Sequence, residues 1–111
     1  MLSSLSRGTK KALCEIYAEY LKRRSSGSPK SSARYFSNED KTKENNHGDW
    51  TTSDFKDYLS ELKRAGAVKM YVDGGFELQD SAIIYMEQRF QNGLSDVLDW
   101  LAKIKSVIPF A

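Results

Sequence analysis

The sequence predicts a single α+β domain that is mainly helical, and three observations support this expectation. Apolar residues recur at helical spacing in four segments, which is typical of helices with one buried face. One segment alternates apolar and polar residues on both sides of a glycine-rich turn, which indicates a β-hairpin. The chain has 111 residues, of which 40% are hydrophobic, and a chain of this length can bury one core without disulfides.

Composition narrows the class of protein. Charged residues make up 29% of the chain, and no apolar run approaches the ~20 residues that span a bilayer, so we expect no membrane segment. Met1 to Thr9 lack the apolar stretch of a signal peptide. The single Cys14 cannot form an internal disulfide, which indicates a reducing, cytoplasmic location. These features predict a small cytoplasmic binding module rather than an enzyme.

The first predicted helix covers residues 9–24. Thr9 is expected to cap it after Gly8, and the basic residues of its last turn suit the negative end of the helix dipole. Gly27 and Pro29 disfavour its continuation. Its apolar stripe consists of Leu13, Ile16, Tyr17, Tyr20 and Leu21.

Residues 25–49 form the least structured part of the prediction. Residues 32–40, with Tyr35 and Phe36, fit either one short helix or one strand. Residues 38–49 are almost wholly polar, and such a stretch cannot bury enough surface to offset the entropy lost on ordering. We therefore expect a flexible loop inside the domain.

The second predicted helix covers residues 51–65. Thr51 or Thr52 is expected to cap its start, and Gly66 suits the C′ position after its end. The apolar face is formed by Phe55, Tyr58, Leu59 and Leu62. The opposite face carries Ser53, Lys56, Asp57, Ser60, Lys63 and Arg64.

A β-hairpin is predicted directly after this helix, where the apolar period changes from 3.6 to 2 residues. Asp73-Gly74-Gly75 supplies the turn, because these residues tolerate positive φ. The second strand runs from Phe76 to Gln79. The first strand should bury the alternating residues Val68, Met70 and Val72.

Residues 80–108 are predicted to form two further helices. One starts at Asp80 or Ser81 and ends at Gln91, and the other covers residues 95–108 with Ser95 as its cap. The buried face of the former consists of Ala82, Ile83, Met86 and Phe90. The latter carries Val97, Leu98, Trp100, Leu101, Ile104, Val107 and Ile108, which is more apolar surface than one face needs.

The order of these elements resembles the winged-helix family, a variant of the helix-turn-helix. The resemblance covers residues 9–79 and is best over residues 51–79, where a helix runs through Gly66 into the hairpin. Asp73-Gly74-Gly75 resembles the tip of a wing. The whole chain is similar to small bacterial proteins of unknown role that append a C-terminal helix to such a domain. The resemblance implies a winged helix-turn-helix domain with a two-stranded wing, followed by two additional C-terminal helices.

This resemblance implies that the chain binds double-stranded DNA as a small transcriptional regulator. The helix over residues 51–65 would lie in the major groove. The wing would reach phosphates or the minor groove, and a basic patch would contact phosphates. The helix residues expected at the DNA are Thr52, Ser53, Lys56, Ser60, Lys63 and Arg64. The wing and basic-patch residues expected there are Lys69, Tyr71, Lys22, Arg23, Arg24, Lys30 and Arg34.

The distribution of charge favours contact with phosphates but allows another interpretation. Residues 1–34 hold eight basic and two acidic residues, 8 − 2 = +6, while residues 35–111 hold nine and thirteen, 9 − 13 = −4. A basic third of the chain could face a polyanion. It could equally be a solvated helix end and loop.

The predicted recognition helix is itself neutral, which keeps an alternative function open. Asp54, Asp57 and Glu61 balance its three cations, and the wing tip carries Asp73. Carboxylates that face phosphates lower the affinity for DNA. The alternative is a winged-helix module for protein–protein interaction or assembly that does not bind DNA directly.

The apolar excess of the last helix also has two interpretations. These residues can all pack on their own domain, or they can form the interface of a homodimer that doubles the basic surface. The residues expected at such an interface are Val97, Trp100, Leu101, Ile104 and Ile108.

Neither catalysis nor metal binding is expected. His47 is the only histidine and Cys14 the only cysteine, and together they cannot supply the three or four ligands of a zinc site. A Cys–His nucleophile would lack an orienting partner, and free cysteines are most often small buried residues. We predict no catalytic residue, no metal and no cofactor.

Overall fold

The computed structural model describes residues 4–37 and 53–107, with side chains in the last helix described as far as Lys103. This part of the chain contains the helices α1 (Arg7–Ser25), α2 (Lys30–Ala33), α3 (Ser53–Arg64), α4 (Asp80–Arg89) and α5 (Leu94–Val107). Its strands are β1 (Tyr35–Phe36), β2 (Val68–Met70) and β3 (Phe76–Leu78). The predicted class, α+β and mainly helical, is confirmed.

Helix α1 is the centre of the core. Every residue from Lys11 to Ala18 is buried, so the helix is covered around its whole circumference although its sequence predicted one apolar stripe. Both α3 and α5 pack against it. Two of these buried residues, Lys11 and Glu15, are charged and form an ion pair, with Nζ of Lys11 3.0 Å from Oε2 of Glu15. Pairing offsets part of the cost of removing two charges from water.

Helix α1 starts earlier than the sequence predicted. Its N-cap is Ser6 rather than Thr9, and the Ser6 hydroxyl oxygen accepts from the backbone N–H of Thr9. Gly8 does not stop the helix but lies in its first turn, where an added Cβ would fall 2.5 Å from the hydroxyl oxygen of Tyr58. The missing side chain at Gly8 therefore allows the close approach of α1 and α3.

The hairpin is confirmed, and a third strand extends it. Strands β2 and β3 pair antiparallel with Lys69 opposite Glu77, and β1 pairs with the other edge of β3, with Tyr35 opposite Glu77. The strand order is β1-β3-β2. Residues 30–36 thus contain both a short helix and a strand, where the sequence predicted one or the other. Residues 38–49, predicted as a loop, lie outside the described residues.

The hairpin is shorter than predicted, because its first strand ends two residues sooner. Strand β2 ends at Met70, and the backbone N–H of Tyr71 donates to the carbonyl of Gly75 at 2.9 Å. The Asp73 carboxylate accepts from the N–H of Gly75, also at 2.9 Å. Val72, which was expected to be buried, is consequently fully exposed at the tip.

A Schellman motif joins α3 to the hairpin. Gly66 has a φ of +81°, its N–H donates to the carbonyl of Lys63, and the N–H of Ala67 donates to the carbonyl of Leu62. Ala67 and Leu62 are completely buried, as expected for the apolar packing that accompanies this motif. The predicted role of Gly66 is confirmed, and this turn sets the direction in which α3 leads into β2.

Aromatic packing connects the sheet to α3. The rings of Phe36 and Phe76 stack with their centroids 5.0 Å apart, and the ring of Phe55 lies 6.3 Å from that of Phe76. All three side chains are buried. The inner face of the sheet therefore holds the first turn of α3 in place.

The two C-terminal helices begin with caps that differ from the predicted ones. The predicted face of α4 is buried, and the residue before this helix, Gln79, makes no side-chain cap. Helix α5 starts at Leu94, and the carboxylate of Asp96, rather than the side chain of Ser95, accepts from the N–H of Asn92 at 3.0 Å.

Candidate nucleic-acid interface

One face of α3 is directed to solvent and carries three cations. A helix turns by about 100° per residue, so six of its residues fall within an arc of about 120° that extends for about 17 Å. We call this set the outer face of α3: Ser53, Lys56, Asp57, Ser60, Lys63 and Arg64. All six side chains are exposed, while Phe55, Leu59 and Leu62 hold the opposite side of the helix in the core.

The carboxylate of Glu61 belongs to the junction with α1 instead of the outer face. It accepts from the backbone N–H of Ser6 at 3.1 Å, from the Ser6 hydroxyl at 3.0 Å, and from the Thr9 hydroxyl. These hydrogen bonds, the one from Thr9 first, lower the pKa of Glu61 below its ordinary value. A negative charge at the start of α1 is also favoured by the helix dipole.

The outer face of α3 therefore has a positive net charge. It carries Lys56, Lys63 and Arg64 against Asp57 alone, 3 − 1 = +2. Asp54 and Glu61 lie on the flank of the helix, outside that arc. The neutral charge counted over the whole helix thus does not describe the surface that a ligand would meet.

The hairpin contributes one exposed cation, on the face of the sheet opposite the one that packs on α3. Lys69 is exposed, and its Nζ lies 5.3 Å from the ring centroid of Tyr71. The Tyr71 hydroxyl donates to Oε1 of Glu77 at 3.0 Å, and this carboxylate raises the pKa of Tyr71. Of the two wing residues predicted to contact DNA, Lys69 presents a charge to solvent and Tyr71 is engaged within the sheet.

Arg23, predicted to belong to a DNA-binding patch, holds β1 onto α1. Its guanidinium donates to the carbonyl of Tyr35 at 2.7 Å and pairs with Glu19 at 3.3 Å. It also lies over the ring of Phe36, 4.3 Å from the centroid. The half-buried Arg23 is a structural residue, which differs from the expectation that it faces phosphates.

Arg34 has a similar structural role at the start of α4. Its Nε donates to the carbonyl of Leu78 at 2.8 Å, and its Nη2 lies 3.0 Å from Oδ1 of Asp80. The charge of Arg34, followed by a hydrogen bond from Lys30 at 3.4 Å, holds the pKa of Asp80 below its ordinary value. Arg34 and Lys30 are therefore occupied by a carboxylate of the same chain.

The remaining residues of the predicted patch lie far from the C-terminal half of α3. Lys22 and Arg24 are exposed in the last turn of α1, whereas Glu61 is fastened to the first turn through Thr9. Thirteen residues separate Thr9 from Lys22, which is about 20 Å along a helix. The structure thus does not bring this cluster together with Lys63 and its neighbour.

Two of the five residues of the predicted dimer interface are buried within the chain. Val97 is 0% exposed and Leu101 is 8% exposed, so these side chains are part of its own core. Trp100 is half-buried, with its ring 6.5 Å from that of Phe90. The side chain of Ile104, together with Ile108 and the predicted DNA contact Thr52, lies outside the described residues. A homodimer stays a prediction.

Metal sites and membrane-spanning helices are both absent from residues 4–37 and 53–107. No group of three or more His, Cys, Asp or Glu residues in these ranges could hold a metal ion. No helix within them is long and apolar enough to cross a membrane. Cys14 is buried, and burial raises its pKa to about 12, so its thiol is protonated at neutral pH.

Comparison of the chain with protein-family models, with curated proteins and with solved structures found no match. The function of the outer face of α3 must therefore be inferred from its own geometry. The role of Glu61 at the junction with α1 has no local signal in the sequence, because its partners lie 52 and 55 residues away.

Proposed function

We propose that this chain is a winged-helix protein that binds double-stranded DNA, with α3 in the major groove and the β2–β3 hairpin as its wing. The observation that carries the proposal is the outer face of α3. Three cations and two serine hydroxyls follow one another along a rigid surface about 17 Å long, with a single carboxylate among them. The major groove is about 12 Å wide and admits such a helix.

The connection between α3 and the hairpin supports this arrangement. The helix leads through the Schellman motif at Gly66 directly into β2, so the wing is held at the C-terminal end of α3. Strand β1 anchors the hairpin from the other edge of β3. A helix and a wing fixed to one sheet can contact the duplex together without ordering a flexible linker.

Position along α3 determines the role of each residue in this proposal. Ser53 and Lys56 lie in its N-terminal half, the part of a recognition helix that approaches base edges. Lys63 and Arg64, in its last turn, would contact the phosphate backbone. Lys69 would reach a neighbouring phosphate from the wing. A small regulator of transcription is the function that such a protein would serve.

Asp57 would discriminate between sequences under this proposal. A carboxylate repels phosphates, but in the major groove it can accept from the amino group of cytosine. Its place on the outer face, in the N-terminal half of α3, puts it where base edges would lie. It would therefore lower the affinity for random DNA and favour a site with cytosine at one position.

The test is fluorescence anisotropy of a labelled random-sequence duplex over a series of salt concentrations. The wild-type chain should bind with an affinity that falls log-linearly with salt, because binding to phosphates releases counterions. Lys63→Gln/Arg64→Gln should bind more weakly. Its salt slope should be reduced by up to about 1.8, which is about 0.9 for each phosphate that the variant no longer neutralises.

The matched control is Lys22→Gln/Arg24→Gln, which removes the same charge from exposed positions at the far end of α1. It should retain most of the wild-type affinity and slope. Equal losses in both double variants would mean that only net charge matters, which would refute the assignment to α3. If the wild type does not bind at low salt, the DNA proposal itself is wrong, and the outer face of α3 would have to contact a protein.

A further inference from the structure

Two opposite charges lie side by side in the N-terminal half of the outer face of α3. Lys56 and Asp57 are both exposed, and helix geometry separates them by about 100° around the axis but only about 1.5 Å along it. Because the outer face covers an arc of about 120°, the two side chains lie near its opposite edges at the same level. A duplex against this face would meet a donor on one side and an acceptor on the other.

The spacing of charges within α3 leaves both residues without an intrahelical partner. Side chains three and four residues apart are neighbours on a helix, whereas adjacent side chains do not face each other. Lys56 has no carboxylate at either spacing within α3, and Asp57 has two acidic neighbours, Asp54 and Glu61, but no cation. Neither residue forms an ion pair in the described parts of the chain. Helix stability therefore does not explain this pair of charges.

Short side chains precede and follow the pair along the middle of the outer face. Ser53 lies about one turn before it and Ser60 about one turn after it, and both point between Lys56 and Asp57 around the helix axis. Both serines are exposed. A helix with short side chains at these positions can approach the floor of the major groove closely, so that the lysine and the carboxylate reach base edges.

We propose that Lys56 and Asp57 read the two bases of one G·C pair, with guanine on the side of Lys56 and cytosine on the side of Asp57. In the major groove, guanine presents the acceptors N7 and O6, and cytosine presents the amino donor N4. Lysine donates to the guanine atoms, and aspartate accepts from the cytosine amino group. The inference rests on the proposed function, since it requires α3 in the major groove, and it adds the identity and orientation of one base pair.

The same two charges discriminate against the other base pairs. An inverted C·G pair would place Lys56 against the cytosine amino donor and Asp57 against the guanine acceptors, so both contacts become repulsive. A T·A pair, with thymine on the side of Lys56, offers the lysine one acceptor in place of two and still offers Asp57 the adenine amino group. The expected order of affinity is therefore G·C, then T·A, with C·G the weakest.

The test begins with selection of binding sites from a randomised duplex pool and continues with synthetic duplexes that differ at one pair. The wild-type chain should select a site with one fixed G·C position. Inversion of that pair to C·G should weaken binding by roughly tenfold or more, and replacement by T·A should weaken it less. Fluorescence anisotropy at one salt concentration measures all of these affinities.

A double variant should change the preference at this position. Lys56→Gln/Asp57→Ala should favour A·T over G·C, because glutamine pairs with N6 and N7 of adenine and alanine contacts the methyl group of thymine. The matched control is Lys63→Gln/Arg64→Gln, which removes charges assigned to phosphates. It should weaken binding to every duplex by the same factor and keep the wild-type order.

The inference is overturned if random duplexes bind but the selected site has no fixed G·C position. It is also overturned if Lys56→Gln/Asp57→Ala keeps the wild-type order, or if the control changes that order as much. In each of these cases the DNA-binding role of α3 stands. A wild-type chain that binds no duplex at low salt would instead refute the proposed function itself, so the two failures are distinguishable.

Discussion

The outer face of α3 and the basic segment from Lys22 to Arg34 carry similar residues, but the fold uses them differently. In the basic segment, Arg23 and Arg34 donate to backbone carbonyls of the sheet and pair with carboxylates of the chain. On α3, the cations are exposed and the competing carboxylate of Glu61 is directed to α1. A count of charges along a sequence therefore does not say which charges reach a ligand.

The largest effect that separates the two regions is expected for Arg23→Ala. This change removes a hydrogen bond to Tyr35, an ion pair and a cation–π interaction from a half-buried site, so the free energy of unfolding should fall by about 2 kcal/mol. Urea denaturation measures it, with Arg24→Ala as the exposed control that should lose less than about 0.5 kcal/mol. Equal stability of the two variants would mean that Arg23 is not structural.

A smaller loss of stability is expected when the charge of Glu61 is removed. Glu61→Gln should lower the free energy of unfolding at pH 7 by about 1 kcal/mol, because the variant has no anion at the start of α1. The pKa of Glu61 is lower in the folded chain than its ordinary value of 4.5. The contribution of Glu61 to the free energy of unfolding is therefore complete above pH 4.5. The contribution disappears as the pH falls through the folded pKa.

The difference in stability between wild type and Glu61→Gln should accordingly shrink as the pH is lowered below 4.5. Denaturation at several pH values measures this, and Glu87→Gln, an exposed change on α4, serves as the control. A difference that grows on acidification would show that the carboxylate is not stabilised by its hydrogen bonds from Ser6 and Thr9. The DNA salt slope of Glu61→Gln should match that of the wild type, because this side chain is not on the outer face.

The smallest effect concerns Asp57, the only carboxylate on the outer face. Asp57→Asn should raise affinity for a random duplex by roughly threefold, since one repulsive charge is removed from a surface near phosphates. Anisotropy at low salt measures it against Asp99→Asn, which removes an exposed carboxylate from α5. If Asp99→Asn raises the affinity as much, the gain reflects net charge and not position.

The sequence predicted those features that depend on neighbouring residues. Helical periodicity located α1, α3, α4 and α5, and the change of period located the hairpin. Gly66 was recognisable as a C′ residue because its positive φ is a local requirement. Strand β1 was harder, because a strand of two residues is too short to display an alternating pattern.

The features that the sequence did not predict depend on distant partners. Ser6 and Thr9 can both act as N-caps. The cap in the structure is Ser6, whose backbone N–H donates to the carboxylate of Glu61, 55 residues away in the sequence. The structural use of Arg23 and Arg34 depends on backbone carbonyls whose positions only the folded sheet defines.

The proposed function depends above all on DNA meeting the outer face of α3 and not the basic end of α1. An NMR titration of the ¹⁵N-labelled chain with a random-sequence duplex at low salt distinguishes these two surfaces. We expect the amides of Lys56, Ser60, Lys63 and Lys69 to shift and broaden while those of Lys22 and Arg24 do not. Shifts centred on Lys22 and Arg24, or no shifts at all, would contradict the proposal.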